Sequence, residues 1–268
     1  MSKVWWGLKY LEHFFKASFF NKKNSDFIEK LKEEVIFNDQ HFYFFDEINA
    51  YRQELKSDKR KIEGLDLGAG SLVQTAKEKE VRTFAKNSGS PLAIGEILYK
   101  LTIYKKAETI FDLGTCLGFS ALYLSKGFSK SYVRTFEGNE GLQKIAEEAF
   151  SRFNSNVKTV AGNIDETLPN ELAKVDNVDI AFIDANHRYE PTVRYFHQFL
   201  EKVHQDSVLI FDDIYWSKEM NKAWNEIKSH PKVSHSIDLH KVGMVFFQNK
   251  YKTKEDLHLF LKEIYFQN

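Results

Sequence analysis

The chain predicts an α/β fold: an open, mostly parallel sheet of seven strands, closed by an antiparallel hairpin and preceded by helices. Three observations carry that prediction. From residue 90 onwards, short apolar runs rich in β-branched and aromatic residues alternate with segments of helical period. A glycine turn joins the first of these strands to its helix in ETIFDLGTCLGFSALYLSK, residues 108–126. Near the end, the runs 233–239 and 242–247 are separated only by His240-Lys241. So short a link makes a hairpin, and the final strand must run antiparallel.

Taken in order, residues 1–20 (MSKVWWGLKYLEHFFKASFF) place Val4, Leu8, Leu11, Phe15 and Phe19 near helical spacing, with Lys3, Lys9 and Lys16 elsewhere. Amphipathic helices are expected over 26–34 and 42–55. GLDLGAGS, residues 64–71, carries a glycine string much like the one after Asp112. The charged run Ser57-Asp58-Lys59-Arg60-Lys61 before it cannot be a buried parallel strand, so the string reads as a loop, with Ser71 capping a solvated helix over 72–87. Ser90-Pro91 fits an N-cap followed by proline at the first helical position. Leu92, Ile94, Ile97, Leu98 and Leu101 give the helix that follows one apolar face. Thr109-Ile110-Phe111 begins the first strand of the sheet, and further strands are expected at 132–136, 157–161, 179–184 and 207–212. Helices fall near 142–153, 170–174, 192–203 and 217–229. This divides the chain into a helical N-terminal segment (1–88), a ligand-binding α/β domain (89–250) and a C-terminal tail (251–268).

Composition narrows the function. Lys+Arg and Asp+Glu are equal at 38 each, so no global field argues for nucleic acid or an anionic membrane. No apolar run reaches the length of a membrane span. The single cysteine, Cys116, excludes an internal disulfide framework and a Cys-based zinc site, and fits a reducing cytoplasm.

Ligands of open α/β sheets bind beyond the carboxyl ends of the strands. There the sequence sets Asp112 and Gly114, then Glu137, then Gly162-Asn163-Ile164, then Asp184-Ala185-Asn186-His187, and finally Asp212-Asp213. The spacing D-x-G-x-x-x-G-x-S, from Asp112 through Gly114 and Gly118 to Ser120, is neither a P-loop nor a dinucleotide fingerprint. An acid before the first glycine repels pyrophosphate and suits a cationic amino-acid group. Glu137, 23 residues past Gly114, suits a ribose diol, and Asn163 with Ile164 an adenine edge and face. Asp184, Asp212 and Asp213 bring three oxygen donors to one sheet edge, the donor type of a hard divalent cation such as Mg²⁺. His187 titrates near neutrality and suits a general base; orienting Asp184 or the loop is the competing role. Tyr215 and Trp216 fit either an aromatic wall or the core.

With these motifs in place (FDLGTCLGFSALYL, TFEGNE, AGNIDETLP, FIDANHRYEPTVRYF and VLIFDDIYW), the chain resembles the class I S-adenosylmethionine-dependent methyltransferases. It is most similar to their metal-dependent O-methyltransferases of the catechol and caffeoyl-CoA type. The resemblance spans roughly residues 90–248. It implies a Rossmann-like, seven-stranded, mostly parallel sheet with an antiparallel C-terminal hairpin and a helical N-terminal extension. It places Asp112, Gly114, Gly118 and Ser120 near the methionine portion of S-adenosyl-L-methionine, Glu137 on the ribose, and Asn163 where the family often has an aspartate. In the catechol-type enzymes the metal trio is Asp, Asp, Asn, so Asp213 departs by adding a charge; His187 stands where they carry a lysine base. The implied reaction is metal-assisted O-methylation of a small-molecule hydroxyl. Metal-independent N- or O-methylation and a non-catalytic interaction protein are the competing readings.

The aromatic N-terminus completes the expectations. Trp5, Trp6, Tyr10, Phe14, Phe15, Phe19 and Phe20 offer too much apolar surface to leave wet on a monomer. With only three lysines against Glu12, lipid is the weakest cover. The segment is expected to pack on protein, roofing the acceptor pocket as a lid or joining two subunits of a homodimer.

Overall fold

A computed structural model describes residues 3–19, 24–62, 79–87, 91–251 and 254–265. GLDLGAGS and Ser90 lie outside the described residues. The N-terminal part consists of α1 (Lys3–Phe19), α2 (Asp26–Leu31) running on into a π-helical turn (Lys32–Ile36), and α3 (Tyr43–Leu55). Two short antiparallel strands follow, β1 (Lys61–Ile62) and β2 (Lys79–Glu80), and then α4 (Val81–Asn87). The helix expected over 72–87 is thus present from Val81, with strand just before it.

Helix α5 (Leu92–Lys105) leads into β3 (Thr109–Leu113), α6 (Phe119–Lys126), β4 (Tyr132–Glu137), α7 (Glu140–Arg152), β5 (Val157–Ala161) and α8 (Ile164–Leu172). Then come β6 (Val178–Ile183), α9 (Tyr189–Leu200), β7 (Val203–Asp212), α10 (Lys218–Ser229), and the hairpin β8 (His235–Asp238) and β9 (Val242–Phe246). The chain returns through β10 (Glu255–His258) to α11 (Lys262–Tyr265). The main sheet has the order β10-β8-β9-β7-β6-β3-β4-β5. β9 runs antiparallel to both neighbours, as its short link to β8 requires. The sheet therefore has eight strands where seven were expected. β10 pairs parallel to β8 inside the expected tail; its four residues, Glu-Asp-Leu-His, make a polar edge strand with no apolar run to betray it.

Central strands are buried on both faces, and successive residues feed two cores. Ile110, Ile180, Phe182, Val208, Ile210 and Phe246 face a core shared with α5, α6 and the N-terminal helices. Phe111, Ala181, Ile183, Leu209, Phe211 and Val245 face a second core capped by α8, α9 and α10. Phe27, Ile28, Leu31, Phe45, Ile48, Tyr51 and Leu55 all belong to the first core, so α2 and α3 are built into the sheet's covering layer.

Helix α1 behaves differently. Its periodicity put Leu8, Leu11 and Phe15 on the packed face, yet they are 60%, 52% and 54% exposed, whereas His13 is 1% exposed. The helix docks through a polar anchor: His13 reaches the Leu259 carbonyl and the Asp238 carboxylate, and that turns the apolar stripe outward. No helix among the described residues is long and apolar enough to cross a membrane.

Candidate active site

The strand order reverses between β3 and β6, and a cleft opens above that switch point. β3 ends in the glycine turn. Gly114 and Thr115 both donate their N–H to the Phe136 carbonyl, at 3.2 and 3.0 Å. Gly114 has φ 107, and a Cβ there would run into the Asp184 carbonyl oxygen. Only glycine lets the turns after β3 and β6 approach so closely. Gly118, at φ 84, starts α6 with its bare Cα against Phe150. Glu137 holds the turn from the side: its carboxylate accepts the Cys116 and Asn139 N–H groups, each at 2.9 Å. Asp112 lies beneath, fully buried, and accepts from the Thr135 hydroxyl at 2.6 Å. Burial pushes its carboxyl up to about 7 against the Thr135 and Ser120 hydrogen bonds, and the Glu137 charge adds to the rise.

The cleft and its open mouth together span about 430 Å³. Of the expected ligand residues, Gly114, Ser120 and Asp184 line it. Asp112 and Glu137 brace the turn from behind and beside. Asn163 is a helix cap: its side chain accepts the Asp165 N–H at 3.0 Å and begins α8, of which Ile164 is the first residue. Neither is among the residues lining the cleft. The opposite wall holds Arg52 of α3, 9% exposed, its guanidinium 4.6 Å from the Phe119 ring centroid. The buried Tyr123 hydroxyl, also at the cleft, has no protein hydrogen-bond partner. No residue of α1 is in the lining; that helix lies instead over the loop after β7, with Lys9 5.7 Å from the Tyr215 ring centroid.

Beside the cleft the ends of β6 and β7 form a charged shelf. Asp184, Asp213, His187 and Lys241 keep 27%, 23%, 23% and 26% of their side-chain surface exposed, whereas Asp212 keeps 4%. Lys241, from the β8–β9 turn, sets its ammonium 2.5 Å from Asp213 Oδ1 and 3.3 Å from Asp212 Oδ2. Burial alone would lower Lys241, but Asp212 and Asp213 more than reverse this and hold it charged. Burial, then the Asp212 charge, push both Asp184 and Asp213 above the ordinary carboxylate range. His187 Nε2 is 3.4 Å from Asp184 Oδ1, on a residue with φ 41. Trp216, 45% exposed, stands near His187 with ring centroids 6.5 Å apart. Tyr215 belongs to the core, 7% exposed, its hydroxyl donating to Asp238 at 2.6 Å.

Residues 111–214, which hold both the glycine turn and the carboxylate strand ends, match the family model for a methyltransferase domain. Over that stretch the chain is similar to a methyltransferase domain. Its fold is that of several solved structures. Cofactor-bound Rv0187 from MTB superposes with TM-score 0.55 at 17% identity, over 85% of this chain and 100% of the other. A putative caffeoyl-CoA O-methyltransferase from Staphylococcus aureus gives 0.53 at 16% identity, over 63% and 90%. The O-methyltransferase TomG from Streptomyces achromogenes, solved in complex with SAM, gives 0.52 at 15% identity, over 60% and 82%. No curated protein matches the chain in sequence at a significant level.

Two features of the cleft and its shelf escaped the sequence reading. Arg52 was detectable: it shares a helical face with Ile48, Tyr51 and Leu55, where a charge is out of place unless it serves something. Lys241 was not, because a lysine in a two-residue hairpin link reads as a solvated turn. At the shelf the Lys241 ammonium already bonds two of the three carboxylates that were expected to hold a divalent cation. Among the described residues, the one group of three with ligand atoms all within 4.8 Å of one another lies elsewhere.

Proposed function

We propose that the protein transfers a methyl group from S-adenosylmethionine to an oxygen of a small-molecule acceptor, with Lys241 serving where a metal ion was expected. The observation that carries this reading is the Lys241 ammonium, bonded to Asp212 and Asp213 and a quarter exposed beside His187. The solved structures with this fold include proteins described as O-methyltransferases and bound to SAM or SAH, which supports both the cofactor and the oxygen acceptor.

The residues present fit the cofactor. Gly114, Gly118 and Ser120 would hold its methionine end at a turn that needs glycine at 114 and 118, where a Cβ would meet the Asp184 carbonyl and the Phe150 ring. The Tyr123 hydroxyl and Arg52 offer polar partners from the far wall, and the cofactor's carboxylate suits Arg52. Glu137 would meet the ribose, and Asn163 with Ile164 the adenine. When bound, S-adenosylmethionine supplies an electrophilic methyl group on a sulfonium. His187 would take the acceptor's hydroxyl proton on Nδ1, with Asp184 orienting the ring through Nε2. Lys241 would stabilise the charge left on the acceptor oxygen, and Trp216 would flank a planar acceptor. Holding both reactants in one cleft contributes up to roughly 7–11 kcal/mol of the barrier reduction.

The test is turnover of the full-length protein with a panel of phenolic and aliphatic hydroxyl acceptors, in chelator and then with added Mn²⁺. Formation of S-adenosylhomocysteine should be insensitive to chelator. Lys241→Met should lose most of that activity and regain part of it with Mn²⁺, since an emptied carboxylate shelf then suits a hard cation. Chelator-sensitive turnover of the wild type, restored by Mn²⁺, overturns the role of Lys241. Absence of any calorimetric heat with S-adenosylhomocysteine overturns methyl transfer itself.

A further inference from the structure

Behind the loop that follows Asp213, three side chains from distant parts of the chain meet: His13 of α1, Asp238 ending β8 and His258 ending β10. His13 Nδ1 lies 3.1 Å from Asp238 Oδ1 and 3.3 Å from His258 Nδ1. His258 Nδ1 lies 3.5 Å from Asp238 Oδ2. Zinc–ligand bonds of about 2.0–2.1 Å in a tetrahedral site put neighbouring ligand atoms roughly 3.3–3.4 Å apart. The separations, two of them to different oxygens of the one carboxylate, are close to the edges of a zinc tetrahedron, and one ligand atom from each residue lies within 4.8 Å of the other two.

Counting protons leads to the same place. His13 Nε2 lies 3.1 Å from the Leu259 carbonyl oxygen, which can only accept, so that nitrogen carries a hydrogen. In a neutral imidazole the other nitrogen then presents a lone pair. Here it faces a carboxylate oxygen and a second imidazole nitrogen. Asp238 is further held by donors on its outer side: the Tyr215 hydroxyl at 2.6 Å, the Trp224 indole N–H at 3.2 Å and the His240 backbone N–H at 2.8 Å. Either a proton on His13 Nδ1 or a metal ion among these atoms satisfies the arrangement, and the second imidazole nitrogen at 3.3 Å favours the metal. A ligating histidine whose other N–H is tied to a backbone carbonyl, and a ligating carboxylate that is itself hydrogen-bonded, are the outer-shell features that orient metal ligands.

The geometry points to a Zn²⁺ site formed by His13, Asp238 and His258, which fastens helix α1 to the edge of the sheet. Two imidazoles and one carboxylate suit zinc better than Mg²⁺ or Ca²⁺. His258, 11% exposed, leaves an approach for a water as fourth ligand. The site is separate from the methyl-transfer cleft and stands or falls independently of that function.

Full-length protein, stripped with chelator and titrated with Zn²⁺ alone, should take up one equivalent by calorimetry and melt at a higher temperature afterwards. With Co²⁺ it should show the intense visible bands of a tetrahedral site. Limited proteolysis within α1 should slow on adding Zn²⁺. His13→Gln and His258→Gln should each abolish the single-site isotherm while still unfolding cooperatively. No stoichiometric Zn²⁺ uptake by the wild type, uptake unchanged in both variants, or an octahedral Co²⁺ spectrum overturns the site. Should both variants fail to fold, zinc-edge X-ray absorption on the wild type decides. Two imidazoles and one carboxylate support the site, and a sulfur or all-water shell overturns it.

Discussion

A carboxyl group with no exposed surface, such as Asp112, is held in place by hydroxyls rather than by a cation: Thr135 donates to it, and Thr115 pairs with Thr135 at 2.6 Å. The residue supports the glycine turn from below, and a cofactor ammonium would meet the turn before it met Asp112. Its raised value has a sign that can be checked. The folded state holds the proton up to about pH 7, against an ordinary value of 3.8, so the folded protein binds more protons between those limits. The stability contributed by the neutral acid is full below about pH 4 and lost as pH rises through about 7. The loss is on the order of 4 kcal/mol, at about 1.4 kcal/mol per tenfold change in proton affinity. Urea unfolding of wild type and Asp112→Asn across that range should show the gap moving steadily in the variant's favour. A gap that stays constant with pH would mean the carboxyl titrates normally.

Among the elements, the turn between β3 and α6 depends on Glu137, which accepts backbone N–H groups from the turn and from the start of α7. Glu137→Gln turns one acceptor oxygen into a donor, so one of those N–H groups loses its partner. An unsatisfied donor costs about 1–3 kcal/mol. S-adenosylhomocysteine affinity should fall about tenfold or more by calorimetry, with a drop of a few degrees in Tm. Undiminished affinity would show that the turn holds its own shape. Elements of this kind were legible in the sequence where one signal dominated. Thr109-Ile110-Phe111 and the glycines after it announced β3 and its turn, and the short link His240-Lys241 announced the hairpin. Asn163 is harder to read, because an amide at a strand end fits a ligand contact and a helix cap alike; its side-chain oxygen accepts the Asp165 N–H as a cap. Lys241 stayed hidden for a different reason: its partners are about 28 residues away in sequence and adjacent only through β7–β9 pairing.

For the molecule as a whole, the N-terminal part contributes in two distinct ways. Helices α2 and α3 are core elements, and α3 delivers Arg52 to the cleft. Helix α1 is an attachment, held by His13 against an Asp238 carboxylate that is itself fully buried, while Leu8, Leu11 and Phe15 face outward. Hydrophobic period therefore predicted a helix there but chose the wrong face, because one buried polar contact outweighed the apolar stripe. Deleting residues 1–20 separates the two contributions. It strips His13 from a buried Asp238 carboxylate, and leaving a buried polar group without its partner costs about 1–3 kcal/mol. For a chain of this size that corresponds to a Tm lower by roughly 2–12 °C. Cofactor affinity should be nearly unchanged, because the cleft is lined by α3, α5, α6 and the strand ends. Differential scanning calorimetry and cofactor titration of the same truncated protein read the two effects separately. A truncated chain that melts with the wild type would show that α1 is not anchored through His13, and one that loses its cofactor would show that α1 supports the cleft from a distance.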